Sequence, residues 1–137
     1  QAAYLAVMQN VSSSNRSGYD ALRKIYKESA EGEERLQVLG ILSSCRDKGI
    51  VLESLNLIFT SEVRNQDAYI LLRGIQPEAR EISWNWLKEN WELISKTFAG
   101  SLITDFVETI VPLVHLITVL LPYSRDPYSP LLQVLFP

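Results

Sequence analysis

Arg64-Asn65-Gln66-Asp67 sets a guanidinium, two amides and a carboxylate in four consecutive residues. A guanidinium offers a fork of donors that fits a carboxylate, so Arg64, with the Gln66 amide near it, is a candidate to hold an acidic group. The competing use is structural. Asp67 and Gln66 can satisfy free backbone donors at a helix N-terminus while Arg64 bridges to the next turn, and this is the expected use. Trp84, Trp86 and Trp91 form the second group that could meet a ligand, by stacking. Aromatic residues at helical spacing more often join helices, so all three are expected in the core.

Metal and nucleophile chemistry find little to work with. His115 is the single imidazole and Cys45 the single thiol. Metal-dependent peptide hydrolysis needs two imidazoles one helical turn apart, a further carboxylate ligand and a glutamate base, and the chain contains no His-Glu-x-x-His. A Gly-x-Ser-x-Gly turn is also missing, and Cys45 is expected to be a small buried apolar group. Gly18, Gly32, Gly40, Gly49, Gly74 and Gly100 are scattered and never build a phosphate-cradling loop. Catalytic and metal residues are therefore expected to be none in this chain.

These side chains must be positioned by helices. Ser17 and Asp20 have capping-pair spacing for a helix from about Gly18, with Tyr19, Leu22, Ile25 and Tyr26 inward and Arg23, Lys24 and Lys27 in water. Glu31, Glu33 and Glu34 suit the positive end of a next helix, whose stripe Leu36, Leu39, Leu42 runs on to Cys45. Asp47-Lys48-Gly49 interrupts, and Val51, Leu55, Ile58 and Phe59 resume helical spacing. Ser61 is placed to cap a segment carrying Val63, Tyr69, Ile70 and Leu71 that Gly74 ends. Pro77 then opens a longer helix with the stripe Trp84, Leu87, Trp91, Ile94, Phe98, closed by Gly100. Short helices with short turns and no strand alternation predict an all-α fold of stacked antiparallel helix pairs, a fragment of a HEAT/armadillo-like solenoid.

Composition agrees with a folded domain. At 137 residues, 47% hydrophobic and 21% charged, the chain can bury roughly two thirds of its unfolded surface. Its 13 basic and 16 acidic residues are interspersed at a net charge of −3, which argues against nucleic acid or an anionic membrane as partner. The apolar run from Ile110 to Pro122 is broken by Pro112 and His115 and falls short of the roughly 20 residues a spanning helix needs, so no transmembrane segment is expected. The sequons at Asn10 and Asn15 are expected to stay unmodified, and one cysteine favours a reducing, cytoplasmic location.

Arg64-Asn65-Gln66-Asp67 followed by Trp84-Asn85-Trp86-Leu87-Lys88-Glu89-Asn90-Trp91 resembles the C-terminal helical domain of the gluzincin zinc aminopeptidases, most closely the puromycin-sensitive type found in plants, the plant-like aminopeptidase M group. The resemblance runs through Leu102-Ile103-Thr104 to about Glu108, after which the chain turns to a proline-dense tail. It implies a partial aminopeptidase C-terminal helical domain at residues 1–108 and a divergent apolar, Pro-rich tail at 109–137, and the start at Gln1 inside a helix reads as a fragment. It also implies a parent enzyme removing N-terminal residues with zinc held in its catalytic domain, which is then the partner of this chain. There the helical domain covers the active site and shapes the access of peptide N-termini, with Arg64, Gln66 and Asp67 as candidate peptide-chamber or structural residues. The alternative is a stand-alone helical-repeat module that binds a partner protein.

Overall fold

In the computed structural model, residues 2–98 are described, and all the helical elements below lie within them. Helix α1 (Ala2–Gln9) leads to a tight Ser12 to Asn15 turn, whose ends exchange backbone hydrogen bonds at 3.1 Å. Helix α2 (Ser17–Glu28) and helix α3 (Gly32–Leu42) follow. Helix α4 (Lys48–Asn56) runs into a single 3-10 turn at Leu57–Phe59, and a second such turn at Asn65–Asp67 opens the short helix α5 (Ala68–Arg73). A third, Pro77–Ala79, opens helix α6 (Arg80–Thr97). The described residues hold six α-helices and no strand, so the fold is all-α.

The apolar spacing explains the packing of α2. Tyr19, Leu22 and Tyr26 are buried and Ile25 is half-buried, and they face α1 and α3. Packing then skips along the chain: α3 meets α5, α4 meets α6, and α4 also touches α5. One continuous core results, from Met8 of α1 through Leu39, Leu42, Val51, Leu55 and Leu71 to Leu87 and Ile94 of α6. Burial of large aliphatic side chains at about 1.5–3 kcal/mol each supplies its main driving force.

Several helix ends differ from expectation. Arg16, not Ser17, precedes α2 as its N-cap, without a side-chain cap, and Asp20 is instead bound by the Arg16 guanidinium at 3.2 Å. Asp47 is no mere interruption. Its carboxylate accepts from Ile50 N at 3.1 Å as the N-cap of α4, and also takes Ser13 N and Ser13 Oγ, each at 2.8 Å. Ser61 caps nothing: the segment before α5 is a turn with Arg64 extended, and Thr60 Oγ1 accepts from Glu62 N. Gly74 does end α5, but its φ of −78° is right-handed, so the left-handed conformation that usually recruits glycine is not the reason. A Cβ there would overlap the Gly40 carbonyl oxygen and lie 2.6 Å from Ser43 Oγ. Glycine at 74 is what lets α5 lie against α3. Gly100 and the whole 109–137 tail fall outside the described residues.

Candidate functional site

Arg64 to Asp67 folds as a self-contained clasp. Arg64, in extended conformation, sends Nε back to Asp67 Oδ2 at 2.7 Å across the 3-10 turn. Asp67 is buried, and as the residue preceding α5 it makes no side-chain cap, because its carboxylate is turned to the guanidinium. Gln66 is exposed. The Arg64 side chain keeps 59% of its surface open, so one edge of the guanidinium remains available to solvent. Tyr26 lies close by, donating its hydroxyl to the Glu62 carbonyl at 2.9 Å beneath the Arg35 guanidinium, whose carbon sits 5.3 Å from the ring centre. Burial pushes the Tyr26 phenol up, against a smaller opposing pull from Arg35.

The tryptophans divide. Trp84 and Trp86 are buried and Trp91 is half-buried. At about 100° per residue, the buried arc of α6 is centred on Ser83, Leu87 and Ile94, with Trp86 on one flank and Trp84 and Trp91 on the other. Trp86 donates Nε1 to Asn56 Oδ1 at 2.8 Å and packs on Phe59 with ring centres 5.8 Å apart, which ties α6 to the end of α4. Lys88 stands over the Trp84 ring at 5.7 Å.

The sequence reading missed the charged lattice over α2. Arg23, expected in water, is part-buried and bound to Glu62 at 2.6 Å; Lys27 reaches the same carboxylate at 3.2 Å, and Arg16 joins Glu53 at 2.9 Å. The lattice links α2 to α4 and to the turn beyond it. Only an i,i+4 pair such as Arg16 and Asp20 carries a sequence signal, and the partners 37 and 39 residues apart carry none. An open hollow of about 350 Å³ over this face is lined by Asp20, Arg23, Lys24, Lys27 and Glu28, charges of both signs.

Four carboxylates among the described residues are held more acidic than usual. Glu62 is held below the usual carboxylate range by the Arg23 donors, Asp47 by the Ser13 backbone and hydroxyl, Glu34 by the Ser29 and then the Tyr4 hydroxyl, and Glu92 by Lys96. A general base needs the reverse shift. Burial pushes the Cys45 thiol up, away from the thiolate a nucleophile requires, and its Sγ contacts the Asp47 carbonyl at 3.5 Å. Among the described residues, no group of three or more His, Cys, Asp or Glu could hold a metal ion, and no helix is long and apolar enough to cross a membrane. His115 lies outside the described residues.

Comparison with known proteins finds relatives over most of this chain. Aminopeptidase M1-C of Oryza sativa subsp. japonica is 70% identical over 114 residues, covering 82% of this chain and 13% of that protein. Aminopeptidase M1-D of the same organism is 69% identical over the same shares, and Aminopeptidase M1 of Arabidopsis thaliana is 46% identical over 112 residues, 81% of this chain and 13% of its own length. The chain thus spans about an eighth of the length of these curated relatives. No solved structure matches it significantly. The model of the family described as ERAP1-like C-terminal domain matches residues 1–117, so the chain belongs to the ERAP1-like C-terminal domain family.

Proposed function

We propose that the chain is a non-catalytic part of the C-terminal domain of a zinc aminopeptidase, where it covers the active site of the catalytic domain and restricts entry to peptides presenting a free N-terminus. The observation that carries this reading is the 70% identity between most of the chain and a segment forming 13% of an aminopeptidase. A segment of that size with a single histidine in its whole sequence serves such an enzyme by shape and contact. Zinc then belongs to the catalytic domain of the parent, a cytoplasmic enzyme, and that domain is the partner. Arg64 and Gln66, both exposed, are the polar groups available to face bound peptide; Asp67 holds Arg64 in place, and Trp84 and Trp86 serve the core. Residues 1–108 make up the domain portion and 109–137 the tail, although the family match continues past that boundary to residue 117.

The test uses rice Aminopeptidase M1-C in three forms: intact, with the matched segment deleted, and with that segment replaced by residues 1–117 of this chain. The readout is the ratio of kcat/KM for a long and a short peptide sharing one N-terminal residue. Deletion changes the ratio, the replacement restores it, and the 137-residue chain alone releases no amino acid. A ratio indifferent to the segment would favour the stand-alone interaction module. Chelator-sensitive turnover by the isolated chain would overturn the non-catalytic reading.

A further inference from the structure

Ser83 departs from the pattern of the other buried serines. Ser43, Ser44 and Ser54 each give a hydroxyl hydrogen to a backbone carbonyl, and Ser54, inside α4, reaches Ile50 O one turn back at 2.9 Å. Ser83, inside α6 and fully buried, bonds neither the Ala79 carbonyl one turn back nor any other group. Arg80, three residues earlier on the same helix, shares the defect: its Nε is enclosed and without a partner. Among the described residues only Arg35 Nε, on α3, is in the same state. An enclosed polar atom left unbonded lowers a folding equilibrium constant by about 5- to 150-fold, so two of them within one turn call for a shared partner.

We infer that Arg80 and Ser83 together bind one internal water molecule at the start of α6. Residues three apart on a helix set their Cβ atoms about 5–6 Å apart, and long side chains lean toward the helix N-terminus. A water bonded at about 2.8 Å on each side spans up to roughly 5.5 Å, which fits that spacing. The donor count fits as well. Arg80 Nε–H and Ser83 Oγ–H are both donors, and a water oxygen has two lone pairs to receive them. Its hydrogens go to carbonyl oxygen: Pro77 O, which accepts from Arg80 N where the Pro77–Ala79 turn joins α6, has a second lone pair to offer. Arg80 is only half-buried, so its charge still meets solvent and needs no buried counter-ion. Ala79, the N-cap of α6, supplies no side-chain bond, and the water provides the polar tie at that junction. Folded proteins hold about one internal water per 27 residues, so residues 2–98 have room for on the order of three or four. The inference does not depend on the proposed function.

The experiment compares the 137-residue chain with Ser83→Ala, Arg80→Met and the double variant. Oxygen-17 relaxation dispersion of the solvent counts waters held longer than the protein tumbles, and each single substitution should lower its amplitude by the share of one water. In urea titrations Ser83→Ala should lower the folding equilibrium constant about threefold to tenfold, despite the better helix propensity of alanine. The double variant should lose less than the product of the two single losses, because both groups hold the same molecule. A Ser83→Ala chain that folds more favourably than the unsubstituted one would overturn the inference, since the hydroxyl would then be a plain orphan. An unchanged dispersion amplitude with a lower folding constant would do so too, by returning the hydroxyl to the Ala79 carbonyl. So would a urea midpoint that follows chloride concentration at constant ionic strength, because the two donors would then hold an anion.

Discussion

Gly74→Ala tests the closest helix contact in the fold. Gly74 has φ −78° and ψ −14°, which alanine adopts freely, so any cost is steric. The new methyl would overlap the Gly40 carbonyl oxygen and stand 2.6 Å from Ser43 Oγ. The neighbours cannot yield cheaply: one is backbone, and the other is a fully buried hydroxyl that donates to the Leu71 carbonyl. Helices α3 and α5 must part, at an overpacking cost of about 1–3 kcal/mol. Losing the Ser43 bond adds about 0.5–1.5 kcal/mol, while the stiffer unfolded chain returns about 0.4–1 kcal/mol. The net expectation is a loss of about 2 kcal/mol, or roughly 7 °C in Tm. Urea midpoints and calorimetry on the full chain measure it. Gly32→Ala is the control, because a Cβ at Gly32 meets nothing within 4 Å, and it should be neutral or stabilising by up to about 1 kcal/mol. A Gly74→Ala protein as stable as wild type would refute the close approach of α5 to α3.

Asp47→Ala should cost about 1–2 kcal/mol, because it removes both the α4 cap and the tie to Ser13. Since hydrogen bonding lowers the folded-state pKa of Asp47, this contribution is complete above its unfolded value near 3.8 and disappears as pH falls through the lower folded value. Denaturant midpoints of the two proteins should therefore converge only in strong acid, and convergence already at pH 6 would contradict the assignment. Trp86→Ala should cost about 3–5 kcal/mol and Trp91→Ala less, the first being buried and bonded to Asn56, the second half-buried against the edge of the core; equal losses in chemical denaturation would misplace the flanks of α6. Arg64→Ala should cost about 1–2 kcal/mol, more than truncating an ordinary surface arginine, because it strands the buried Asp67 carboxylate. Adding Asp67→Asn should recover part of that loss, and a double-mutant cycle with no coupling would refute the clasp.

What could be read from the chain alone was whatever one element encodes within itself. Tyr19, Leu22 and Tyr26 recur at helical spacing, so the inner face of α2 was legible, as were the helix preceding Gly74 and the proline that opens the approach to α6. The Arg64 to Asp67 bridge was legible only in part: a link from Arg64 to the next turn was expected, but Asp67 was expected to cap the backbone and takes the guanidinium instead. Tertiary structure decided what depends on distant neighbours. Asp47 looked like an interruption although its cap on Ile50 is local, and only its tie to a serine 34 residues earlier carried no signal; Arg23 looked solvated because its carboxylate partner lies 39 residues later. Trp86 sits off the apolar stripe read from α6, and only the end of α4, arriving with Asn56 and Phe59, gives it a buried place. Gly74 is the sharpest case. Local rules read a glycine at a helix end as a choice of φ, whereas here it is a choice of volume, set by a carbonyl on another helix. Periodicity travels with the chain, but which surfaces meet is settled only when the helices pack.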